Sequence, residues 1–541
     1  MRAKFKKYLP EVILASIALA FSFWLMLHTF SWQDGSILIA SKAWSDFASH
    51  IPLIRSFSLG DNWPPEYPIF PGEPIRYHFL FYWGVGILEK LGLRIDYALN
   101  IPSALSFFLL LLSIYLLARH LFKSRFVASL SVLLFLFNGS FSCLEFFRAH
   151  PLSINTLSDL LNNTTFPSFG PYDGKTVSAF WNLNVYTNQR HLALPFSLLL
   201  LLVYFLLKDD EDKKVSRTQI ISGGLFIGIL PFAHSSIFAM AILVLGMLFI
   251  LLKRRRLTIV GIFFLGFVLS LPRVIFLGRT AGFTPILQLG YLTPDPVNFI
   301  SFSKYWFLNL GLSFLLIPVG FLLSSREQRR LLVAFLPLFL VGNLVQFTIE
   351  MAGNHKFFNV FLAVSNIYVA YVVFCVWKSK LLGKVVASFL IIFLTLSGVI
   401  DFFAIKNDSS YKIEDYSKNP DVLWIRDNTP KNAVFLNSTY LYNPASLAGR
   451  KIFLGWPYFA WSLGHDTNKR DFEQGALLLA KNPEATCGQF TKNNIEYVVV
   501  SQENNLEVNS KFLQNSLKNV YNNPRSGLLI FSTEGCIKHV R

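Results

Sequence analysis

Charge is what this chain has least of. Only 15% of its 541 residues are Asp, Glu, Lys or Arg, whereas 53% are hydrophobic, with 55 Phe. Mean hydropathy is +0.45. A water-soluble interior cannot hide that much apolar side chain, and lipid accepts it without cost. Acidic residues are the scarcer sign, 32 against 49 Lys and Arg, for a formal net charge of +17. Nucleic acid would call for a continuous basic face. Here the basic residues fall instead in short clusters between apolar runs, at 2–7, 119–125, 253–256, 326–330 and 378–384. Such clusters mark the cytoplasmic loops of a membrane protein, so a nucleic-acid partner is set aside.

Cysteine is nearly absent as well, with four residues and no CxxC or Cys/His metal spacing. Cys143 and Cys375 lie in or beside apolar runs. Cys487 and Cys536 lie in the C-terminal part, where they could form a disulfide or stay as two free thiols. The sequence has no phosphate-cradling glycine loop, zinc-protease helix motif or nucleophile elbow. The apolar run 12–30 has no small-residue cleavage site, which predicts a retained first helix rather than a signal peptide.

What the chain does contain is about eleven apolar runs of roughly 17–22 residues, the length that crosses a hydrocarbon core. They lie near 10–30, 100–118, 126–142, 190–207, 218–233, 235–252, 257–277, 306–324, 330–349, 357–376 and 383–404. With the N-terminus inside, eleven crossings put every later basic cluster on the cytoplasmic side. The outer loops are then 31–99, 143–189, 278–305 and 350–356, and the C-terminal part is also outside. The segment 77–91 is short, aromatic and carries Glu89 and Lys90; a crossing there would invert the charge bias, so it is expected to lie re-entrant or interfacial. One further missed or split helix would restore parity, giving a range of about 11–13 spans. From 405 on, charge returns and short strand-like runs alternate with helical ones. Strands are expected at 433–436, 497–501 and 528–531 and helices near 421–427 and 472–480. The prediction is a polytopic α-helical membrane domain, 1–404, followed by a small extracytoplasmic α/β domain, 405–541.

Chemistry is expected at the outer rim. In the first outer loop, 31–76, Asp34-Gly35-Ser36 is a plausible helix start, and the apolar spacing through Arg55 suits a helix along the membrane surface. Asp46 and His50, four apart, share a face of that helix; they are either functional or a solvated polar face. Pro64, Pro65, Pro68, Pro71 and Pro74 forbid regular structure beyond it and predict a rigid loop presenting Asp61, Glu66, Glu73, Arg76 and His78. A carboxylate at the lipid–water boundary can deprotonate an acceptor hydroxyl or hold a cation. Further on, Arg190 with His191 either grips a lipid phosphate or anchors the chain at the interface. The group Glu350, Asn354, His355 and Lys356 either contacts substrate or phosphate or merely builds a polar turn. His234, in the turn AHSS, reads as a turn residue. Asp210-Glu211-Asp212 matches a DxD pattern inside the charged loop KDDEDKK and reads as a solvated charge run. Asn437-Ser438-Thr439 fits the N-glycosylation acceptor tripeptide, which is frequent by chance.

The early acidic residue in WSDFASH, the Pro-rich lead into EPIRYHFLFYW and the helix NIPSALSFFLLLLSIYLLARHLF together resemble the GT-C superfamily of membrane glycosyltransferases. Protein O-mannosyltransferases and the aminoarabinose transferases of lipid A are members. The resemblance covers about residues 10–125 in pattern and the remainder in architecture. It implies transfer of a sugar from a polyprenyl-phosphate carrier to a glycan, lipid or protein acceptor on the outer face of the plasma membrane, in the cell envelope. It also implies that Asp46 is the catalytic acidic residue; it does not supply a second, for which the loop itself offers Glu66 and Asp61. Two departures stand out. Phe47 follows Asp46 where the family has an Asp-Glu pair, and PGEPIRYHF replaces an HPPL-type motif. In the mechanism so implied, Asp46 takes the acceptor proton or orients the acceptor in an inverting displacement, while Arg190, His355 and Lys356 stabilise the departing phosphate. No cofactor is required by this scheme, although a divalent cation could sit between Asp46, His50 and Glu66. The competing readings are a lipid or polysaccharide transporter or flippase, and a non-catalytic envelope assembly protein. The ionisable residues collect at the boundary rather than at mid-membrane and no internal repeat is evident, which favours the enzyme.

Overall fold

A computed structural model describes residues 2–170, 172–208, 215, 217–277 and 284–536. Each of the eleven apolar runs contains a helix. Among the described residues, five helices are long and apolar enough to cross a membrane: Tyr8–Thr29, Ile95–Phe122, Lys253–Arg273, Met351–Trp377 and Leu381–Lys406. A sixth crossing results if Phe299–Leu310 and Ser313–Leu323, bent by 87°, count as one. Arg125–Leu136, Ala193–Lys208, Arg217–Ala233 and Ser235–Leu251 are shorter apolar helices. At 1.5 Å per residue they reach about 18–26 Å, short of the ~30 Å core that the sequence reading assumed for every run. The helix Arg326–Leu344 starts on a capping box, with Ser325 and Gln328 satisfying each other's backbone donors. DxD-like Asp210-Glu211-Asp212 lies outside the described residues.

Helix direction sorts the loops onto two ends. Arg125 pairs with Glu11 at 2.5 Å and Gln328 Nε2 donates to the Leu121 carbonyl, so the starts of three helices and the end of a fourth share one end. At the other end, Asn100 Nδ2 donates to the Phe30 carbonyl, and the strand Ser36–Ala40 pairs with Ser410–Glu414 from beyond the last long helix. The first loop and the C-terminal domain therefore meet on the same side of the helices.

The first loop departs from expectation at its start. Asp34 and Gly35 carry φ of 48° and 75°, a two-residue turn with both centres left-handed. It joins Phe30–Gln33 to Ser36–Ala40 as a hairpin instead of opening a helix. The helix begins ten residues on, at Trp44–Ser58. Beyond it the prolines do not exclude regular structure: Glu66–Tyr67 pairs antiparallel with Phe70–Pro74. A two-strand edge tolerates prolines because few ladder donors are needed. The segment 77–91 forms Leu80–Lys90, a helix of about 16 Å, too short to span. Its Glu89 turns inward onto Arg55, at 2.9 Å.

The C-terminal domain is a five-stranded mixed sheet flanked by helices. Val434–Asn437 runs parallel to both Lys451–Ile452 and Ile495–Val500, and Leu528–Ser532 pairs antiparallel between Ile495–Val500 and Lys518–Asn523. The helices Pro420–Asn428 and Thr467–Leu479 sit where the sequence placed them. Cys487 and Cys536 form a disulfide. Asn437 of the glycosylation tripeptide is fully buried, and its amide donates to the Thr439 and Leu454 carbonyls, so it is no acceptor for a glycan.

Candidate functional site

Asp46 occupies the first turn of Trp44–Ser58, where the aligned backbone amides favour a negative charge. It is half-buried and the amide of Asn188 lies beside it. Burial pushes its carboxyl up to about 6, against the opposing pull of the Lys356 ammonium. Tyrosines surround this carboxylate closely enough to feel its charge: Tyr67 and Tyr77 from the first loop, Tyr82 from Leu80–Lys90, Tyr172 from the second loop, and Tyr442 and Tyr458 from the C-terminal domain. Tyr442 also donates its hydroxyl to the Trp44 carbonyl, and the Trp44 ring sits 4.4 Å from Tyr411 and 4.1 Å from Tyr442. The C-terminal domain thus clamps the helix turn that carries Asp46.

His50, one turn further along, is buried rather than part of a solvated face. Its ring stacks on Tyr82 at 4.7 Å and stands 6.0 Å from His191. Burial, reinforced by the Arg190 charge, holds it down at about 3, so it is a neutral imidazole near pH 7. Beside it lies a histidine cluster. His78 Nε2 is 2.6 Å from His191 Nε2, His191 Nδ1 is 2.7 Å from the Tyr82 hydroxyl, and the His78 and His234 rings stack at 4.3 Å. Among the described residues, His78, His191 and His234 are the group of three whose ligand atoms could hold a metal ion, all within 4.8 Å of one another. Asp46, His50 and Glu66 form no such group.

Several expected site residues lie elsewhere or are already occupied. Arg190 is 1% exposed and its guanidinium is consumed by protein: it donates to the Thr187 and Met26 carbonyls, to Thr29 Oγ1 and Asn100 Oδ1, and to Met26 Sδ. It cannot also grip a phosphate; it locks the second loop to two long helices. Glu66 pairs with Lys451 at 2.6 Å, and Arg76 pairs with Glu73 at 2.8 Å and donates to the Gly464 carbonyl. Asp61 is exposed, with its backbone amide on the Lys431 carbonyl. These three serve the seam with the C-terminal domain. Glu350 accepts from the Tyr458 hydroxyl at 2.6 Å, and His355 stacks on Phe180 at 4.6 Å with Asn359 on its Nδ1. Lys356 is the expected cation that does face Asp46 and the histidines.

Two residues escaped the sequence reading. His234 was set aside as a turn residue, and Arg273 drew no notice inside an apolar run. Arg273 is 5% exposed, donates one Nη2 bond to the Ile75 carbonyl, leaves Nη1 without a partner, and acts electrostatically on His78. The available signal was general: an ionisable residue within an apolar helix is costly, and usually present for a reason.

Comparison with known proteins is informative for structure alone. No family model and no curated protein matches this chain. The Archaeoglobus fulgidus oligosaccharyltransferase in its apo form matches over 92% of this chain and 70% of that one, at 14% identity and TM-score 0.52. The arabinofuranosyltransferase AftD from Mycobacteria matches over 96% of this chain, which spans 40% of that longer one, at 11% identity and TM-score 0.58. ArnT from Cupriavidus metallidurans is similar over 98% of both chains, at 12% identity and TM-score 0.49. The chain shares its fold with the Archaeoglobus fulgidus oligosaccharyltransferase and with the mycobacterial arabinofuranosyltransferase AftD.

Proposed function

We propose that this protein transfers a glycosyl group from a lipid-phosphate-linked donor to an acceptor hydroxyl at the extracytoplasmic face of the membrane. One observation carries the reading. Asp46, raised to about 6 by burial, is a carboxylate among tyrosines with the Lys356 ammonium acting on it, and Lys356 together with Arg273 acts on His78 of the neighbouring histidine cluster. A group with that affinity is ionised near pH 7 and still basic enough to take a proton. The acceptor oxygen attacks the anomeric carbon, the bond from that carbon to the phosphate oxygen breaks, and Asp46 receives the acceptor's proton. Lys356 and Arg273 balance the charge left on the phosphate. Tyrosine rings offer the flat apolar faces and hydroxyls that a sugar's mixed surface needs.

The orientation is supported by charge and by redox chemistry. The basic clusters 119–125, 326–330 and 378–384 lie at the end of the helices away from Asp46, which is the cytoplasmic side by the positive-inside rule. The Cys487–Cys536 disulfide suits an oxidising compartment. The test is transfer of radiolabel from a polyprenyl-phosphate sugar in proteoliposomes. Asp46→Asn should lose at least about a hundredfold in rate, as expected for a general base. Full transfer by that variant would overturn the assignment, and gradient-dependent flux of the lipid without transfer would favour a transporter.

A further inference from the structure

We propose that His78, His191 and His234 bind a divalent transition-metal ion, zinc by the nature of the ligands, with the open position taken by an anionic oxygen. The three side chains come from the Pro-rich loop, the end of the second loop and the break between Arg217–Ala233 and Ser235–Leu251. Their ligand atoms already lie within 4.8 Å of one another. Zinc–nitrogen bonds of about 2.0–2.1 Å in a tetrahedron need donors roughly 3.3 Å apart, so the widest spacing would have to close by at most about 1.5 Å.

His234 is the strongest evidence. It is 1% exposed, and neither ring nitrogen has a hydrogen-bond partner. Two orphaned polar atoms on one buried ring are a cost that a packed interior rarely tolerates, and a metal bond removes it. His191 shows the arrangement by which proteins aim a ligand: the Tyr82 hydroxyl holds Nδ1 at 2.7 Å, so Nε2 points at His78. A purely structural histidine cluster would explain the His78–His191 contact but not the empty valences of His234.

The charge balance identifies the fourth ligand. The charges acting on these rings come from Lys356, Arg273 and neighbouring imidazoles. Three neutral imidazoles leave a divalent ion uncompensated, and two further cations stand nearby. Only an anion neutralises such a site. Arg273 Nη1, buried and unpartnered, offers a donor to the same anion. This second half rests on the glycosyl-transfer reading, in which the donor carries a phosphate or diphosphate; the metal half does not. When bound, the ion would act as a Lewis acid on that phosphate.

The test uses full-length protein without a polyhistidine tag, purified in detergent, incubated with zinc and freed of excess by gel filtration. Elemental analysis should find about one zinc per chain. His191→Ala and His234→Gln should each lose most of it while keeping the elution volume of the parent, and Asp46→Asn should keep it. Cobalt-loaded protein should show the visible absorption of a four-coordinate ion, altered by inorganic pyrophosphate. Less than about a tenth of an equivalent of zinc in the parent, or unchanged zinc in both histidine variants, overturns the site. If the histidine variants misfold, weak zinc uptake by the folded parent remains decisive. A cobalt spectrum indifferent to pyrophosphate overturns the anion assignment alone. Zinc bound by an Asp46→Asn variant that still transfers sugar would leave the metal site standing and remove the transferase assignment.

Discussion

Arg55 forms a two-pronged bond with Asp415, Nη1 to Oδ1 at 3.0 Å and Nη2 to Oδ2 at 2.9 Å. Its Nε lies 2.9 Å from Glu89. The arginine is 1% exposed, so a charge fixed in the first loop helix ties together Leu80–Lys90 and the beginning of the C-terminal domain. The Glu89 carboxyl is raised by burial, with Arg55 pulling it back down. Removing the arginine leaves two buried carboxylates without their counter-charge, a loss on the order of 3–5 kcal/mol. Arg55→Met should therefore lower the unfolding temperature and expose the junction near 404–410 to protease. Equal stability and equal proteolysis in the variant would show that the seam holds without this pair.

The pH dependence of transfer follows from Asp46. A base with a pKa near 6 is mostly protonated at pH 5 and mostly ionised at pH 7. The rate should therefore rise with pH through a midpoint of about 6, and the limb should be absent from whatever residual rate Asp46→Asn retains. Because the Lys356 charge favours the ionised carboxylate, Lys356→Met should move the midpoint upward. A kcat/KM profile measured across this range checks both signs. A midpoint that stays put when Lys356 is neutralised would separate the two residues.

How far the sequence disclosed this site depends on the kind of information each residue needed. Apolar runs locate helices because lipid imposes a length and a composition, and each expected run contains one. Asp46 is conspicuous in the sequence as an acidic residue early in the first outer loop. Arg190 stayed open between a phosphate grip and an interfacial anchor because donor occupancy is a tertiary property: its partners Met26, Thr29 and Asn100 lie on helices far away in the chain. Glu66 and Arg76 looked available for the same reason, until Lys451 and the Gly464 carbonyl of the C-terminal domain engaged them. His234 had no local pattern at all. A single histidine between two helices acquires meaning only when folding brings His78 and His191 to it.

Arg190 gives the sharpest contrast between scaffold and catalyst. Its substitution by Met strands the acceptors Asn100 Oδ1 and the Thr187 carbonyl in a buried setting. The loss should be on the order of 3 kcal/mol, since buried unsatisfied groups each cost about 1–3 kcal/mol. The expected outcome is a lower unfolding temperature in detergent with KM for the lipid donor close to that of the parent. A donor KM raised tenfold or more without a stability change would restore the phosphate-binding role.

The disulfide offers a test of which side the C-terminal domain faces. Cys143 and Cys375 are free, while Cys487 and Cys536 are joined across a separation of 49 residues. Alkylation of denatured protein, trapped directly from cells, should modify two thiols before reduction and four after it. Closing a loop of that length contributes about 4 kcal/mol in the chain-entropy description. The double variant Cys487→Ser, Cys536→Ser should therefore weaken the C-terminal domain, releasing the Tyr442 clamp on Trp44 and lowering transfer with it. Four thiols reactive without reductant would put the domain in a reducing compartment, and with it Asp46, because the strand pairing of Ser36–Ala40 with Ser410–Glu414 keeps both on one side.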